Sequence, residues 1–182
     1  PFFLTPDKHY IGVAWYQKKV TIPSNWKEER ITLFLERPHI ETTVWVNQQE
    51  LGMQNSLCVP HVYDLTSAVT PGKTCLITIR IDNRIKEINV GPDSHSITDQ
   101  TQGNWNGIVG RIELQATPKV HFEDIQIYPD LNNQKALVRM NIQSASSTKG
   151  DITLSAESFN TDTQHKVAPV QQSFHIRPGD NA

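Results

Sequence analysis

The side chains best suited to ligand chemistry are densest in Asp99-Gln100-Thr101-Gln102-Gly103-Asn104-Trp105-Asn106-Gly107. Amides both donate and accept hydrogen bonds, which is what reading a sugar's hydroxyls requires. An indole offers a flat face that stacks on the apolar face of a pyranose. Asn104, Asn106 and Trp105 are therefore candidate sugar contacts. His95, in the loop Gly91-Pro92-Asp93-Ser94-His95-Ser96, is a fourth. Each has a plainer reading. Trp105 can plug a β-sandwich while the amides cap backbone groups, and His95 can be a solvated loop histidine.

Other chemistry finds little support. Glu36 and Asp64 could in principle share acid–base work, but nothing in the sequence brings them together. Ordinary surface charge, or an ion pair with Arg37, is the simpler reading. The seven histidines are scattered, and none shows the H-E-x-x-H spacing of a zinc helix. Cys58 and His61 lie three apart without a second ligand pair. Cys58 and Cys75 read as two free thiols, with a single disulfide as the alternative. No Gly-x-Ser-x-Gly, P-loop or Gly-x-Gly-x-x-Gly motif occurs. The expectation is a chain with no catalytic residue, no metal site and no cofactor. Seventeen basic against nineteen acidic residues give a net charge of −2 and no basic stripe. Nucleic acid is thus not an expected partner. No apolar run approaches the ~20 residues that span a bilayer, so a membrane is not expected either.

The elements that must hold these residues read as strands. Cys75, Ile77, Ile79 and Ile81 alternate with Leu76, Thr78 and Arg80; Ile31, Leu33 and Leu35 alternate with Thr32 and Phe34. Val44 and Val46 flank Trp45, which must point to the opposite face. Core packing, or an interface, suits Trp15, Tyr16 and Trp45 better than a sugar platform, and Trp26 reads as a cover over a sandwich edge. Alternation recurs in Val138-Met140-Ile142, Ile152-Leu154-Ala156 and Val170-Gln172-Phe174-Ile176. The best helical candidate, Asn25 to Arg30, is short and runs into a strand. Turn chemistry at Ile22-Pro23-Ser24-Asn25, Asn47-Gln48-Gln49-Glu50 and Pro71-Gly72-Lys73 separates the strands. The pattern predicts an all-β chain of two sandwiches with a boundary near Thr117-Pro118. Residues 118–182 supply about four strands. An immunoglobulin-like sandwich needs about seven, so this second domain reads as truncated.

Five segments, in order, resemble glycoside hydrolase family 2, the β-galactosidase, β-glucuronidase and β-mannosidase group. They are Gly12-Val13-Ala14-Trp15-Tyr16-Gln17-Lys18-Lys19-Val20; Leu33-Phe34-Leu35-Glu36-Arg37 followed by Thr43-Val44-Trp45-Val46-Asn47 and Leu51-Gly52; Pro60-His61-Val62-Tyr63-Asp64-Leu65-Thr66; Thr70-Pro71-Gly72-Lys73 leading into Leu76 to Asn83; and Gly103-Asn104-Trp105-Asn106-Gly107-Ile108-Val109-Gly110-Arg111-Ile112-Glu113-Leu114. The resemblance implies a jelly-roll, galactose-binding-like domain over residues 1–117. An immunoglobulin-like β-sandwich over 118–182 follows it, and then a TIM barrel beyond this chain. Family catalysis retains anomeric configuration through two barrel glutamates, so this chain alone is expected to be inactive. The implied partners are a carbohydrate and that barrel, and family analogy suggests a periplasmic or extracellular setting in a bacterium. The sequence departs from the family at Asn47-Gln48-Gln49, where Asn-Gly or Asp-Gly is usual. It departs again at Gly103-Asn104, where β-galactosidase-like members often carry a substrate-contacting Asp. An autonomous carbohydrate-binding module and a structural or adhesive sandwich pair are the competing readings. An exposed tryptophan platform would favour the former.

Overall fold

The computed structural model describes residues 10–57, 59–86, 105–144, 146–155, 157–159, 164–166 and 168–176, with backbone only at 157–159 and 164–166. The chain divides into two units, Pro1–Thr117 and Pro118–Ala182.

Among its described residues the first unit holds seven strands: β1 (Val13–Thr21), β2 (Glu29–His39), β3 (Glu41–Val46), β4 (Gln49–Asn55), β5 (His61–Asp64), β6 (Thr74–Asp82) and β7 (Gly107–Pro118). They form a four-stranded sheet in the order β1-β6-β3-β4 and a three-stranded sheet in the order β5-β2-β7. Period-two alternation decides which side chains meet between them. Cys75, Ile77, Ile79 and Ile81 of β6 and Val44 and Val46 of β3 pack against Ile31, Leu33 and Leu35 of β2 and Tyr63 of β5. Each fully buried aliphatic contributes roughly 1.5–3 kcal/mol, and this shared layer makes the two sheets a sandwich.

Local signals explain the connections. Thr70-Pro71-Gly72-Lys73 closes with Lys73 N–H donating to Thr70 O at 3.0 Å, and Gly72 has φ +82°. Proline at the second position and a left-handed glycine at the third make a type II turn. The β3–β4 tip uses Asn47 at φ +54°, with no second left-handed residue beside it. Asn47 instead grips β6: its N–H donates to Leu76 O at 2.7 Å and its Oδ1 accepts from Leu76 N–H at 2.9 Å. The helical candidate shrinks to one 3-10 turn, Ser24–Trp26, which brings Trp26 against the core edge.

The second unit contains β8 (Val120–Asp130), β9 (Lys135–Ser144), β10 (Thr148–Leu154), β11 (Glu157–Phe159), β12 (Gln164–Lys166) and β13 (Val170–Ile176). They pair as β8-β9, β10-β13 and β11-β12. Six strands among the described residues exceed the four counted in sequence, because β11 and β12 are three residues each and too short to display alternation. Ile142 and Ile176 are its buried aliphatics among those described. Three residues separate β9 from β10. Ser144 is buried, its Oγ donates to Ser146 O at 2.8 Å, and β10 begins at Thr148.

Candidate functional site

One end of the first unit gathers the chemistry. There the β2–β3 corner, the end of β6 and the starts of β1 and β7 are stitched together. Ile40 N–H donates to Asp82 O at 3.1 Å, and Asn83 N–H to Gly12 O at 3.2 Å. Trp105 enters this end just before β7. Its Nε1–H donates to Arg37 O at 3.1 Å, and its ring meets His39 edge-on at 5.2 Å between centroids. With its N–H committed to a backbone carbonyl, the half-buried indole anchors β7 to the end of β2. Asn106 is exposed, and its Oδ1 accepts from Asn83 Nδ2. Trp105 and Asn106 thus share this end, whereas Asn104 and His95 lie outside the described residues.

Sequence reasoning passed over the group that braces this end. Asp82, Glu41 and Arg80 share the outer face of the four-stranded sheet, since Asp82 pairs with Glu41 and Arg80 with Thr43. Asp82 is fully buried there under three cations. It accepts from Arg84 Nη2 at 2.6 Å, Arg84 Nε at 2.8 Å and Arg80 Nη2 at 2.9 Å, with Lys86 Nζ 3.0 Å away. The hydrogen bonds from Arg84, reinforced by Lys86, hold its carboxyl far below the usual carboxylate range despite burial. Glu41 bridges Arg80 Nη1 at 2.9 Å and Lys86 Nζ at 2.9 Å. Burial pushes its carboxyl up, but those two cations outweigh burial and the net shift is downward. The only sequence signal was Asp82-Asn83-Arg84 closing an apolar strand, which reads equally well as a solvated strand end.

The two carboxylates weighed for acid–base work are separately employed. Glu36 accepts from Arg111 N–H at 2.9 Å and Arg111 Nε at 3.1 Å, which lowers its pKa, and it pairs with Arg37 at 3.4 Å. Asp64 accepts from Thr66 N–H at 2.9 Å and Arg30 Nε at 3.0 Å. Glu36 is tied to β7 and Asp64 belongs to β5, the two opposite edges of that sheet. His61 is buried. Its Nε2 faces Ser56 O at 3.0 Å, which requires Nε2–H, so its Nδ1 accepts from Thr42 Oγ1 at 2.6 Å. Tyr63 O–H completes the knot by donating to Thr42 O at 2.8 Å. Burial pushes the His61 pKa down. These are structural uses of titratable groups. Among the described residues no cluster of histidine, cysteine or carboxylates could hold a metal ion.

Two further surfaces belong to this unit. A groove of about 730 Å³ runs along its flank between β1 and β7, with Tyr16, Lys18, Val20, Leu33, Ile77 and Leu114 among its walls. On the outer sheet face Trp15 is 59% exposed and tilts 33° against Trp45, with 5.6 Å between rings; Met53 lies one row over. Trp45 points away from buried Val44 and Val46, as the alternation requires, and its Nε1–H donates to Glu50 at 3.1 Å.

Known proteins share this architecture. A β-glucuronidase of Bacteroides uniformis superposes with a TM-score of 0.75 over 95% of this chain and 21% of its own, at 20% identity, which speaks for the fold. In sequence, the β-glucuronidase of Paenibacillus borealis is 23% identical over 159 residues, covering 80% of this chain and 26% of its own length. The β-galactosidase of Priestia megaterium is 26% identical over 124 residues, 68% of this chain and 11% of its own. The chain therefore spans about a quarter of the first curated relative and a smaller share of the second. Residues 4–118 match the family described as "Glycosyl hydrolases family 2, sugar binding domain". The chain accordingly belongs to family 2 of the glycosyl hydrolases and carries its non-catalytic sugar binding domain.

Proposed function

We propose that this chain forms the substrate-side flank of a family 2 glycosidase acting on β-glucuronides or β-galactosides, the activities for which its curated relatives are named. In this reading the first unit is the jelly-roll, galactose-binding-like domain and the second an immunoglobulin-like domain. A barrel elsewhere in the polypeptide supplies the two catalytic glutamates. The observation that carries the reading is the end that presents Trp105 and Asn106. Trp105 is pinned by Arg37 and His39, and the exposed Asn106 amide beside it is held on a rigid sheet terminus. A polar loop seated on such a scaffold is how many binding sites are built. Asn104, Asn106 and His95 are the side chains this reading places toward the sugar, with Trp105 shaping the rim.

The test uses the polypeptide that joins this chain to its barrel, assayed on p-nitrophenyl β-D-glucuronide and p-nitrophenyl β-D-galactoside. Asn106→Ala and Asn104→Ala should each lower kcat/KM by about two- to tenfold on the glycoside it cleaves, since each lost hydrogen bond costs about 0.5–1.5 kcal/mol. The 182-residue chain alone should turn over neither compound. Unchanged kcat/KM in both variants, cleavage of neither glycoside by the joined polypeptide, or turnover by the isolated chain that survives repurification would each overturn the proposal. A second reading, an autonomous carbohydrate-binding module, draws on the exposed Trp15 stacked beside half-buried Trp45. It requires the isolated chain to bind glycans and to lose that binding in Trp15→Ala.

A further inference from the structure

We infer that Asn83 is a positioning residue which sets the hydrogen-bonding polarity of Asn106, so that the candidate site presents an amide donor, not an acceptor, to the sugar. The inference rests on the proposed role of Asn106 as a sugar contact and goes on to say what that contact can recognise. An asparagine amide is ambiguous in isolation, because its oxygen and nitrogen ends have the same shape and either can face a ligand. Here the ambiguity is removed in two steps.

The first step is backbone chemistry. Asn83 Oδ1 accepts from Gly12 N–H at 2.8 Å, and Asn83 Nδ2 donates to Tyr10 O at 2.7 Å. A backbone N–H can only donate and a carbonyl can only accept, so Asn83 has one permissible orientation. Its own N–H is tied to Gly12 O, which fixes the strand end from which the side chain projects. The second step follows from counting hydrogens. Nδ2 carries two; one goes to Tyr10 O and the other points at Asn106. Asn106 must therefore turn its Oδ1 toward Asn83, as it does. Its NH2 group is left on the other side, and among the described residues nothing accepts from it. The exposed amide thus arrives with its oxygen turned toward Asn83 and its two donors facing away. The ligand atom it suits is an acceptor oxygen, such as a hydroxyl or carboxylate oxygen of the sugar.

The neighbours keep this arrangement stiff. Asp82 and Arg84, on either side of Asn83, are locked to each other by three hydrogen bonds. Trp105, beside Asn106, is fixed by Arg37 and His39. Both asparagines therefore project from backbone held on each flank.

The experiment again uses the joined polypeptide and the same two aryl glycosides, with kcat and KM separated and a melting curve for every variant. Asn83→Asp keeps an acceptor for Gly12 N–H but cannot donate to Asn106, which is then free to rotate its nitrogen inward. It should lower kcat/KM by about the same factor as Asn106→Ala. In the Asn106→Ala background it should cause no further loss, because the group it orients is gone. A merely structural role would add its loss in both backgrounds. Asn106→Asp provides a check that leaves Asn83 untouched: it still accepts from Asn83 but shows oxygen outward, so it should lose as much as Asn106→Ala. Retained kcat/KM in folded Asn83→Asp, an additive double variant, or activity preserved in Asn106→Asp would overturn the inference. Unchanged activity in Asn106→Ala would instead bring down the reading of Asn106 as a sugar contact. If Asn83→Asp does not fold, Asn106→Asp against Asn106→Ala decides the polarity alone.

Discussion

Asp82→Asn preserves the shape of the side chain and removes its charge, which makes it a direct probe of the cluster bracing the candidate site. The carboxylate is fully buried and is engaged by three cations, with Arg84 supplying its shortest contact at 2.6 Å. Breaking a buried ion pair by removing one partner costs about 3–5 kcal/mol. Two features reduce that here. The Arg84 and Lys86 side chains are 49% and 38% exposed and can turn to water, and Arg80 keeps its bond to Glu41. The expected loss is therefore about 2–3 kcal/mol, or about 10 °C in the melting temperature of a unit this size. Urea unfolding followed by tryptophan fluorescence reads this unit selectively, because Trp15, Trp26, Trp45 and Trp105 all lie within it. The pH dependence has a definite sign. A carboxylate whose folded pKa is depressed contributes stability above its unfolded value, 3.8, and loses it as pH falls through the lower folded value. The gap between wild type and variant should therefore be undiminished at pH 5 and close only below pH 3.8. A difference under about 0.5 kcal/mol at pH 7, the size of an ordinary surface change, would refute the reasoning. So would a gap already collapsing between pH 6 and 5.

Two other outcomes follow from described geometry. Gly110→Ala places a Cβ 2.7 Å from the Glu36 carboxylate at φ +86°, so it should destabilise by at least the roughly 1–2 kcal/mol of left-handed strain; a melting temperature equal to wild type would contradict this. His61 is held neutral, its folded pKa lying below the 6.5 of the unfolded chain, so its contribution is lost as pH falls below 6.5. The wild type should therefore lose stability more steeply than His61→Gln between pH 7 and 5, and identical slopes would show that the buried knot does not resist protonation.

How much was legible depended on what each residue had to do. Ile77, Ile79 and Ile81 declare a strand and its buried face by spacing alone, because burial on one side of a sheet has period two. Pro71-Gly72 declares its turn because each residue supplies the dihedral its position needs. The family 2 resemblance was likewise written in ordered motifs between Gly12 and Leu114, within the residues 4–118 that match the family. The charge cluster was not. Asp82, Glu41, Arg80 and Lys86 come from two strands and a following segment, and charged side chains at strand ends have no signature that distinguishes a solvated carboxylate from a buried one. Asn83 illustrates the limit most sharply. Its importance lies in bonds to Tyr10, Gly12 and Asn106: the antiparallel register of β1 on β6 brings the first two to it, and Asn106 arrives from the start of β7 in the other sheet. The short β11 and β12 escaped because three residues cannot establish a period.

The place of β6 in its sheet also bears on how this chain behaves when partly unfolded. Thr74 to Ile81 is rich in β-branched residues and contains neither proline nor glycine, the composition that seeds cross-β aggregation when an edge is bared. In the folded unit it is sealed on both sides, by β3 and by β1. Among the described residues β1 is itself an edge strand, and it carries Lys18 and Lys19 in succession, one ammonium for each face of the sheet. A second sheet edge approaching β1 would meet positive charge above and below the plane, which discourages strand-to-strand growth. The half-exposed β1 is thus a latch: while it stays closed the aggregation-prone strand is hidden behind a charged guard, and when it peels away the guard and the seal are lost together.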